Sequence, residues 1–490
     1  MPDIPRLVIV SNRGPAQFER DEQGNRQVHR GGGGLVTALS GLVSHRDALW
    51  IASTMTDEDV AVSEENDGPI EIEIEGVTYR LCLVESDPDS YDRFYNIIAN
   101  PMIWFIQHYL WDLSNAPDIR QEELDAWEFG YKAVNEDIAG EVVKQIRDDA
   151  EPLVMLHDYH LYTAPSLIRA ERPDAFLHHF VHIPWSQPDS WRVLPGRWRE
   201  EIYRGLLAND IIGFHTSAYC RNFLRCCQEL LELDVSYGDL SVSHPGGETW
   251  VRAYPLAVDA ERLERAAASE EVAEAEREVL ERRREHLIIR VDRADLSKNV
   301  LRGFTAFDTF LAQHPEFREK VTFIAHLQPS RQDVAEYQEY LERIEALVAV
   351  INHRHGTTDW MPIDLRIYEN FHDAVARYKQ FDLLMVNSIF DGMNLVAKEA
   401  PLVSTRSGVL MLSENTGSHE ELADCALSVN PFDIQEQADT IYRALTMDME
   451  ERRVRAQRLR EIILSRDPGD WVDEQLADIR LKRGERAAVG

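Results

Sequence analysis

Positive charge is what this sequence has least of. Its 490 residues carry 52 Lys and Arg against 86 Asp and Glu, a formal charge of −34. A chain this acidic does not hold nucleic acid by phosphate neutralisation, which needs clustered Lys and Arg, and it is not drawn to an anionic membrane surface. Cysteine is scarce as well. The five, Cys82, Cys220, Cys226, Cys227 and Cys425, are an odd number with no CxxC pair and no metal-ligand spacing. That usage predicts reduced thiols and a cytoplasmic location rather than a disulfide framework. Long apolar runs are missing too: none approaches the roughly 18 residues of a membrane span. The apolar run near the N-terminus reads as a strand, not a signal-peptide core. What is present is a 44% hydrophobic fraction, ample for packed cores, and a length that suggests two or three domains.

Short apolar runs bounded by turn residues recur, each followed by a helical pattern. Leu7–Val10 leads through a glycine loop to a helix starting near Leu35; Leu153–Leu156, Phe176–Ile183 and Ile211–Phe214 follow, the last before a helix over Tyr219–Leu231. The rhythm restarts after position 286 with Leu287–Val291, Val321–His326 and Leu383–Val386, and with helices through Phe310, over Val334–Ile351 and over Leu395–Ala400. Continuous apolar strands alternating with amphipathic helices predict parallel sheets covered on both faces. Between Pro69 and Val84 the alternation IEIEIEGVTYRLCLV predicts an antiparallel hairpin turning at Glu75-Gly76. The stretch Asp259–His286, with ten acidic and six Arg residues, reads as one solvated helix following a domain seam. Two α/β domains joined there are expected to leave a cleft lined by strand C-terminal ends, where ligands bind in such sheets.

Five segments carry candidate chemistry. Arg30 followed by Gly31–Gly34 is either a surface loop or a backbone cradle for an anion at a helix start; its spacing fits neither a dinucleotide fingerprint nor a P-loop. Arg13, ending the first strand in Ser11-Asn12-Arg13, offers a planar fork for phosphate or a surface ion pair. His157-Asp158-Tyr159-His160 is followed by a strand carrying His178, His179 and His182. No carboxylate or thiolate completes a zinc-like shell there, so no metal is expected. His182, last in its strand, is either a core histidine or a donor aimed into the cleft. Arg293 and Lys298, five residues apart on a strand-to-helix turn, can clamp a diphosphate and neutralise a leaving group. In Asp391-Gly-Met-Asn-Leu-Val-Ala-Lys-Glu399 a glycine-hinged loop opens a helix: its amides can hold phosphate, Asp391 can accept sugar hydroxyls and Glu399 a ribose.

Taken in order, SNR, the glycine loop with LVTALSGL, YDRFYNIIANPMIW, HDYH, HIPW, RADLSK, SRQDV, DGMNLVAKE and SVNPFD resemble the trehalose-6-phosphate synthases, retaining glycosyltransferases of family 20. The likeness runs from about residue 5 to residue 480. It implies a GT-B fold: two Rossmann-like doubly wound domains facing across a cleft, residues 1–257 for the acceptor and 258–467 for the nucleotide sugar, with 468–490 returning to the first. It implies transfer of glucose from UDP- or GDP-glucose to glucose 6-phosphate. Arg13, Tyr95, Trp104, Asp158 and Arg331 match the acceptor positions. Gly32, Gly33, Arg293, Lys298, Asp391, Gly392, Met393, Asn394, Leu395 and Glu399 match the donor positions. His182, Arg293, Lys298 and Asp391 carry the catalytic assignment, the nucleotide sugar being a substrate and no cofactor being required. Small molecules are the expected partners, with homo-oligomers admitted. There are departures from the family pattern. RADLSKN stands where many members have RLDYSKG, so Asn299 is expected to change the turn, and HIPW in place of HIPFP is expected to reshape the cleft wall through Trp185. Other readings on the same fold are a pseudo-glycosyltransferase, a glucosylglycerol-phosphate synthase or a catalytically silent subunit. The acidity then belongs to the outer surface, and the cations Arg13, Arg293, Lys298 and Arg331 to the cleft.

Overall fold

The computed structural model describes residues 6–21, 23–31, 39, 48–66, 68–74 and 76–489, with side chains to 486. The glycines Gly32 and Gly33 and the helix expected near Leu35 lie outside the described residues. The chain divides into two compact units, Met1–Leu256 with Pro468–Gly490, and Ala257–Asp467.

Seven parallel strands make the heart of the first unit. Across the sheet they run Val77–Val84, Ala48–Ser53, Leu7–Ser11, Leu153–His157, Phe176–Phe180, Ile211–Phe214 and Gly247–Ala253. The sheet therefore grows outward from Leu7–Ser11 in both directions, and the direction of winding reverses between that strand and Leu153–His157, the point where such sheets bind ligands. Every residue of these two strands is buried, as continuous apolar runs demand. Antiparallel strands close both edges. Ile70–Ile74 pairs with Val77–Val84 as expected, Gly76 supplying a φ of 80°. Asp234–Ser236 and Ser241–His244 close the far edge and were not legible as strands. The strand expected over Phe176–Ile183 ends at Phe180, so His182 lies two residues beyond it.

Arg93–Ile103 forms a wide helix with i→i+5 spacing that carries Tyr95. Pro101, which has no N–H to give to a normal ladder, sits inside it. The helix Pro468–Val489 packs on this unit: Trp471 donates from Nε1 to the Tyr254 carbonyl (3.1 Å), the Tyr254 hydroxyl donates to Asp478 (2.7 Å), and Arg486 pairs with Asp210 (2.9 Å).

The second unit holds six parallel strands in the order Ile363–Ile367, Val321–Gln328, His286–Arg293, Leu383–Val386, Val409–Ser413 and Leu427–Val429. This is the nucleotide-binding order, with its switch point between His286–Arg293 and Leu383–Val386. One apolar layer contains Phe304, Phe307, Ile344 and Ile441; the other contains Leu263, Val272, Val375 and Leu459, so the sheet is covered on both faces. The acidic stretch expected as one helix is two, Ala260–Ala267 and Glu270–Arg282. The Ser269 hydroxyl accepts from the Val272 amide and starts the second helix. Buried Val272 and Val279 turn one side of that charged helix to the core. Among the described residues no helix is long and apolar enough to cross a membrane.

Candidate active site

In the first unit the candidate residues follow the strands flanking the switch point. Arg13 lies just beyond Leu7–Ser11 and donates from Nη2 to the Tyr95 hydroxyl at 3.0 Å. Tyr95 stacks between Tyr91 (5.9 Å, 10°) and His160 (6.1 Å, 11°). His160 lies 3.9 Å from the ring of Tyr159, which in turn meets Trp104 at 5.5 Å. Arg13, Tyr95 and Trp104 are thus joined by one chain of aromatic contacts, which no sequence spacing discloses.

Asp158 follows Leu153–His157 with φ 73° and ψ 176°, backbone that only glycine adopts freely. Such strain costs about 1–3 kcal/mol and persists only where neighbours over-determine it. Here the Asp158 amide donates to the Phe180 carbonyl (2.7 Å), and the Asp158 carbonyl sits 2.9 Å from Nε2 of His179. The strained turn brings Oδ1 of Asp158 to 3.3 Å from the His182 amide, which donates to it. The His182 ring packs on Phe180 (4.5 Å) and meets Nδ1 of His157 at 3.2 Å through its Nε2. Burial holds His157 and His182 well below the ordinary histidine value, and lowers His178 to about 3 and His179 to about 4. Among the described residues no group of three or more His, Cys, Asp or Glu is placed to hold a metal ion. Trp185 corrects an expectation: it is fully buried against Trp191 (4.7 Å) and Phe223 (5.0 Å), a core side chain that shapes no open wall.

In the second unit the candidates gather at the switch point of the six-stranded sheet. Arg293 closes its strand with Nη2 at 3.6 Å from Oδ2 of Asp295. The same oxygen takes Nη1 of Arg331 at 3.2 Å and the Tyr337 hydroxyl at 3.1 Å. Arg331, which the resemblance assigns to the acceptor phosphate, lies in this unit as its position in 258–467 implies, in left-handed backbone (φ 47°), and shares its carboxylate with Arg293. Asp295, fully buried, is a site residue that motif reading passed over. Its second oxygen accepts from the Ser297 amide (2.9 Å) and hydroxyl (2.7 Å), which fixes it in place.

Lys298 reaches Asp391 at 2.5 Å, and Ser388 Oγ (3.1 Å) and Asn394 Nδ2 (3.0 Å) donate to the same carboxylate oxygen. The turn after Lys298 is closed by Asn299. Asn299 adopts the left-handed conformation itself (φ 58°, ψ 38°), and its Nδ2 donates to the carbonyls of Asn387 (2.9 Å) and Pro431 (2.7 Å). The loop Asp391–Leu395 is held by a neighbouring segment. The Asp391 amide donates to the Asn415 carbonyl (3.3 Å), Gly417 to the Asp391 carbonyl (3.1 Å), and Ser418 to the Met393 carbonyl (2.9 Å). A Cβ on Gly417 would fall 1.9 Å from the Gly392 carbonyl, so only glycine permits this approach. Asn394 is left-handed (φ 66°), and Leu395 caps the helix Val396–Val403, whose N-terminus suits an anion. On that helix burial raises Glu399, and the Tyr378 hydroxyl donates to it at 3.4 Å.

Over residues 5–481 the sequence fits the pattern of glycosyltransferase family 20. The chain belongs to that family. It is a glycosyltransferase with a GT-B type fold. Among its relatives is an alpha,alpha-trehalose-phosphate synthase (UDP-forming) from Botryotinia fuckeliana, 33% identical over 485 residues that cover 97% of this chain and 88% of the relative. Validamine 7-phosphate valienyltransferase of Streptomyces hygroscopicus is 32% identical over 99% of this chain and 96% of its own. A solved structure of a UDP-forming alpha,alpha-trehalose-phosphate synthase from Burkholderia xenovorans in complex with glucose-6-phosphate superposes with a TM-score of 0.81 at 26% identity, covering 97% of this chain and 100% of that one.

Proposed function

We propose that this family 20 enzyme transfers glucose from UDP-glucose or GDP-glucose to glucose 6-phosphate with retention of configuration, forming α,α-trehalose 6-phosphate. The observation that carries the proposal is the Lys298–Asp391 pair, together with Arg293 at the end of its strand, at the switch point of a sheet with the nucleotide-binding strand order. Arg293 and Lys298 are the cations for the donor diphosphate, and the amides from Gly392 to Leu395 add donors to it; the family resemblance assigns Gly32 and Gly33 to the donor as well. Asp391, once Lys298 turns to phosphate, accepts hydroxyls of the transferred glucose; Glu399 takes the ribose. Arg13 and the Tyr95 hydroxyl of the first unit are assigned to the acceptor phosphate, as is Arg331 of the second; Trp104 and Asp158 of the first unit are assigned to the acceptor sugar.

Charge develops on the departing diphosphate as the glycosidic bond breaks, so positioned cations there stabilise the transition state more than the ground state. The departing phosphate itself takes the proton of the attacking acceptor hydroxyl on the face it leaves. His182, neutral in its buried surroundings, donates a hydrogen bond beside the transferring sugar and needs no charge of its own. The nucleotide sugar is a substrate and no separate cofactor enters this scheme.

A panel of UDP-, GDP- and ADP-glucose with glucose 6-phosphate tests the proposal through nucleoside diphosphate release. Turnover with the uridine or guanosine donor supports it, and no release with any donor sinks it. The similarity to the valienyltransferase supports a second reading, transfer onto a cyclitol amine. Product mass separates the two, since only trehalose 6-phosphate yields trehalose after phosphatase treatment.

A further inference from the structure

Two histidines that follow neighbouring strands of the first unit meet through their rings. His157 closes Leu153–His157, and its Nδ1 stands 3.2 Å from Nε2 of His182. His157 is fully buried, and its remaining ring nitrogen, Nε2, is buried with no hydrogen-bond partner among the described residues. Both rings are held neutral by their surroundings, so each carries one proton. One shared contact between two neutral imidazoles admits two arrangements. In the first, His182 donates from Nε2, and the His157 proton is forced onto its own Nε2, a buried N–H with no acceptor. In the second, His157 donates from Nδ1 to His182, and only a lone pair on His157 Nε2 is left without a partner. Buried orphan N–H groups are the rarer of the two, and a buried donor left unmade carries its full desolvation cost. The second arrangement follows, and it puts the proton of His182 on Nδ1.

We infer that His157 is a positioning residue that fixes His182 as its Nδ1–H tautomer, so that the ring nitrogen turned away from His157 is a hydrogen-bond donor to an oxygen of the transferring sugar. This rests on the proposed function, which puts His182 beside that sugar. It adds which ring nitrogen of His182 donates and which residue sets that tautomer. Among the described residues the polar groups facing the ring, besides His157, include the Asp158 carboxylate, which takes the His182 amide, His215, whose ring centre lies 5.4 Å away, and His179; Phe180 and Trp471 pack against it.

The test is nitrogen-15 NMR of the full chain with labelled histidine, the His182 signals being identified by their loss in His182→Gln. The wild-type protein should show His182 protonated on Nδ1. In His157→Phe, which keeps a ring but has no donor, nothing fixes the proton any longer, and the Nδ1–H form should give way to a mixture of both tautomers. In His157→Asn, whose amide nitrogen stands near the former Nδ1, the Nδ1–H form should return. With substrates, His157→Phe should lower kcat about 100-fold with acceptor KM within about twofold, and His157→Asn should recover most of the loss. An Nε2–H form in the wild-type protein overturns the assignment, as does wild-type kcat in His157→Phe. Should His157→Phe fail to fold, the wild-type spectrum decides alone. It also decides where no donor turns over, so failure of the proposed function and failure of this inference are told apart.

Discussion

The candidate site of the first unit is built from rings, that of the second from paired charges. In the first, Arg13 stands against a run of contacts through Tyr95, His160, Tyr159 and Trp104, and the histidines behind it are neutral. In the second, Arg293 and Arg331 share Asp295, and Lys298 is held by Asp391. Rings orient a ligand without needing a counter-charge, whereas cations kept beside carboxylates must exchange one anion for another when phosphate arrives. An acidic protein of net charge −34 can thereby store its cations at a sheet switch point, and binding becomes a substitution of phosphate for carboxylate.

The comparison is broken most readily at the cations. Lys298→Ala and Arg293→Ala should each lower kcat/KM by the equivalent of about 2–4 kcal/mol, the scale of removing one positioned electrostatic donor. Steady-state rates with saturating glucose 6-phosphate measure this, and near-wild-type rates in both variants would remove the charge-exchange account of the second unit.

Acid should separate the units next. A histidine whose folded pKa lies below its unfolded value of about 6.5 gives stability that is complete above pH 6.5 and is lost as pH falls towards the folded value. His178 at about 3 and His179 at about 4 both behave so, and together should cost the first unit about 3 kcal/mol at pH 5.5. The second unit has His326 at about 4 acting in the same sense, but its Glu399 and Asp292, raised by burial, carry a penalty that is relieved as pH falls. Among the described residues neither buried ring nitrogen of His178 has a partner, so His178→Leu gives up no hydrogen bond seen there. It should raise Tm at pH 7.5 and shrink the loss of Tm between pH 7.5 and 5.5; an unaltered pH slope would count against the neutral-histidine core.

Arg13 and Arg331 offer a finer cut, although both are assigned to the acceptor phosphate. Arg13→Ala should raise the KM for glucose 6-phosphate by about tenfold or more, the scale of a lost charge-assisted hydrogen bond, and leave the donor KM unchanged. Arg331→Ala should raise the acceptor KM and shift the donor KM as well, because Asp295 would then serve Arg293 without its second cation. A purely acceptor effect from Arg331→Ala would show that the shared carboxylate does not couple them.

Much of the fold was legible because buried parallel strands must be apolar throughout: Leu7–Ser11, Leu153–His157, Ile211–Phe214 and Leu383–Val386 stand where their runs put them. The edge strands Asp234–Ser236 and Ser241–His244, half exposed and rich in Ser, carry no such run. The break at Ser269 was hidden because a cap is one hydroxyl inside a charge pattern. For the site, each cation was visible as a residue type after a strand, but its partner was not. Lys298 and Asp391 stand 93 residues apart, and only the strand order brings them together. Trp185 was misread because a motif position says nothing about which way a side chain turns.

Asn299 gives the smallest and most discriminating change. The left-handed turn that aims Lys298 is normally glycine's, and glycine at that position would relieve backbone strain of about 1 kcal/mol. Against that, Asn299→Gly removes two donations, to the Asn387 and Pro431 carbonyls, and the contact with Arg302 at 2.9 Å. The two buried donations, at about 1 kcal/mol each, outweigh the relief, and the part-buried Arg302 contact adds little, so Asn299→Gly should lose about 1 kcal/mol, or about 2–4 °C in Tm. Asn299→Ala, which loses the bonds and keeps the strain, should lose more. Donor KM should stay near the wild-type value in the glycine variant, because Lys298 keeps its backbone and its carboxylate. If instead Asn299→Gly proves more stable than the wild-type protein, strain at the turn rather than side-chain bridging governs this end of the paired-charge site.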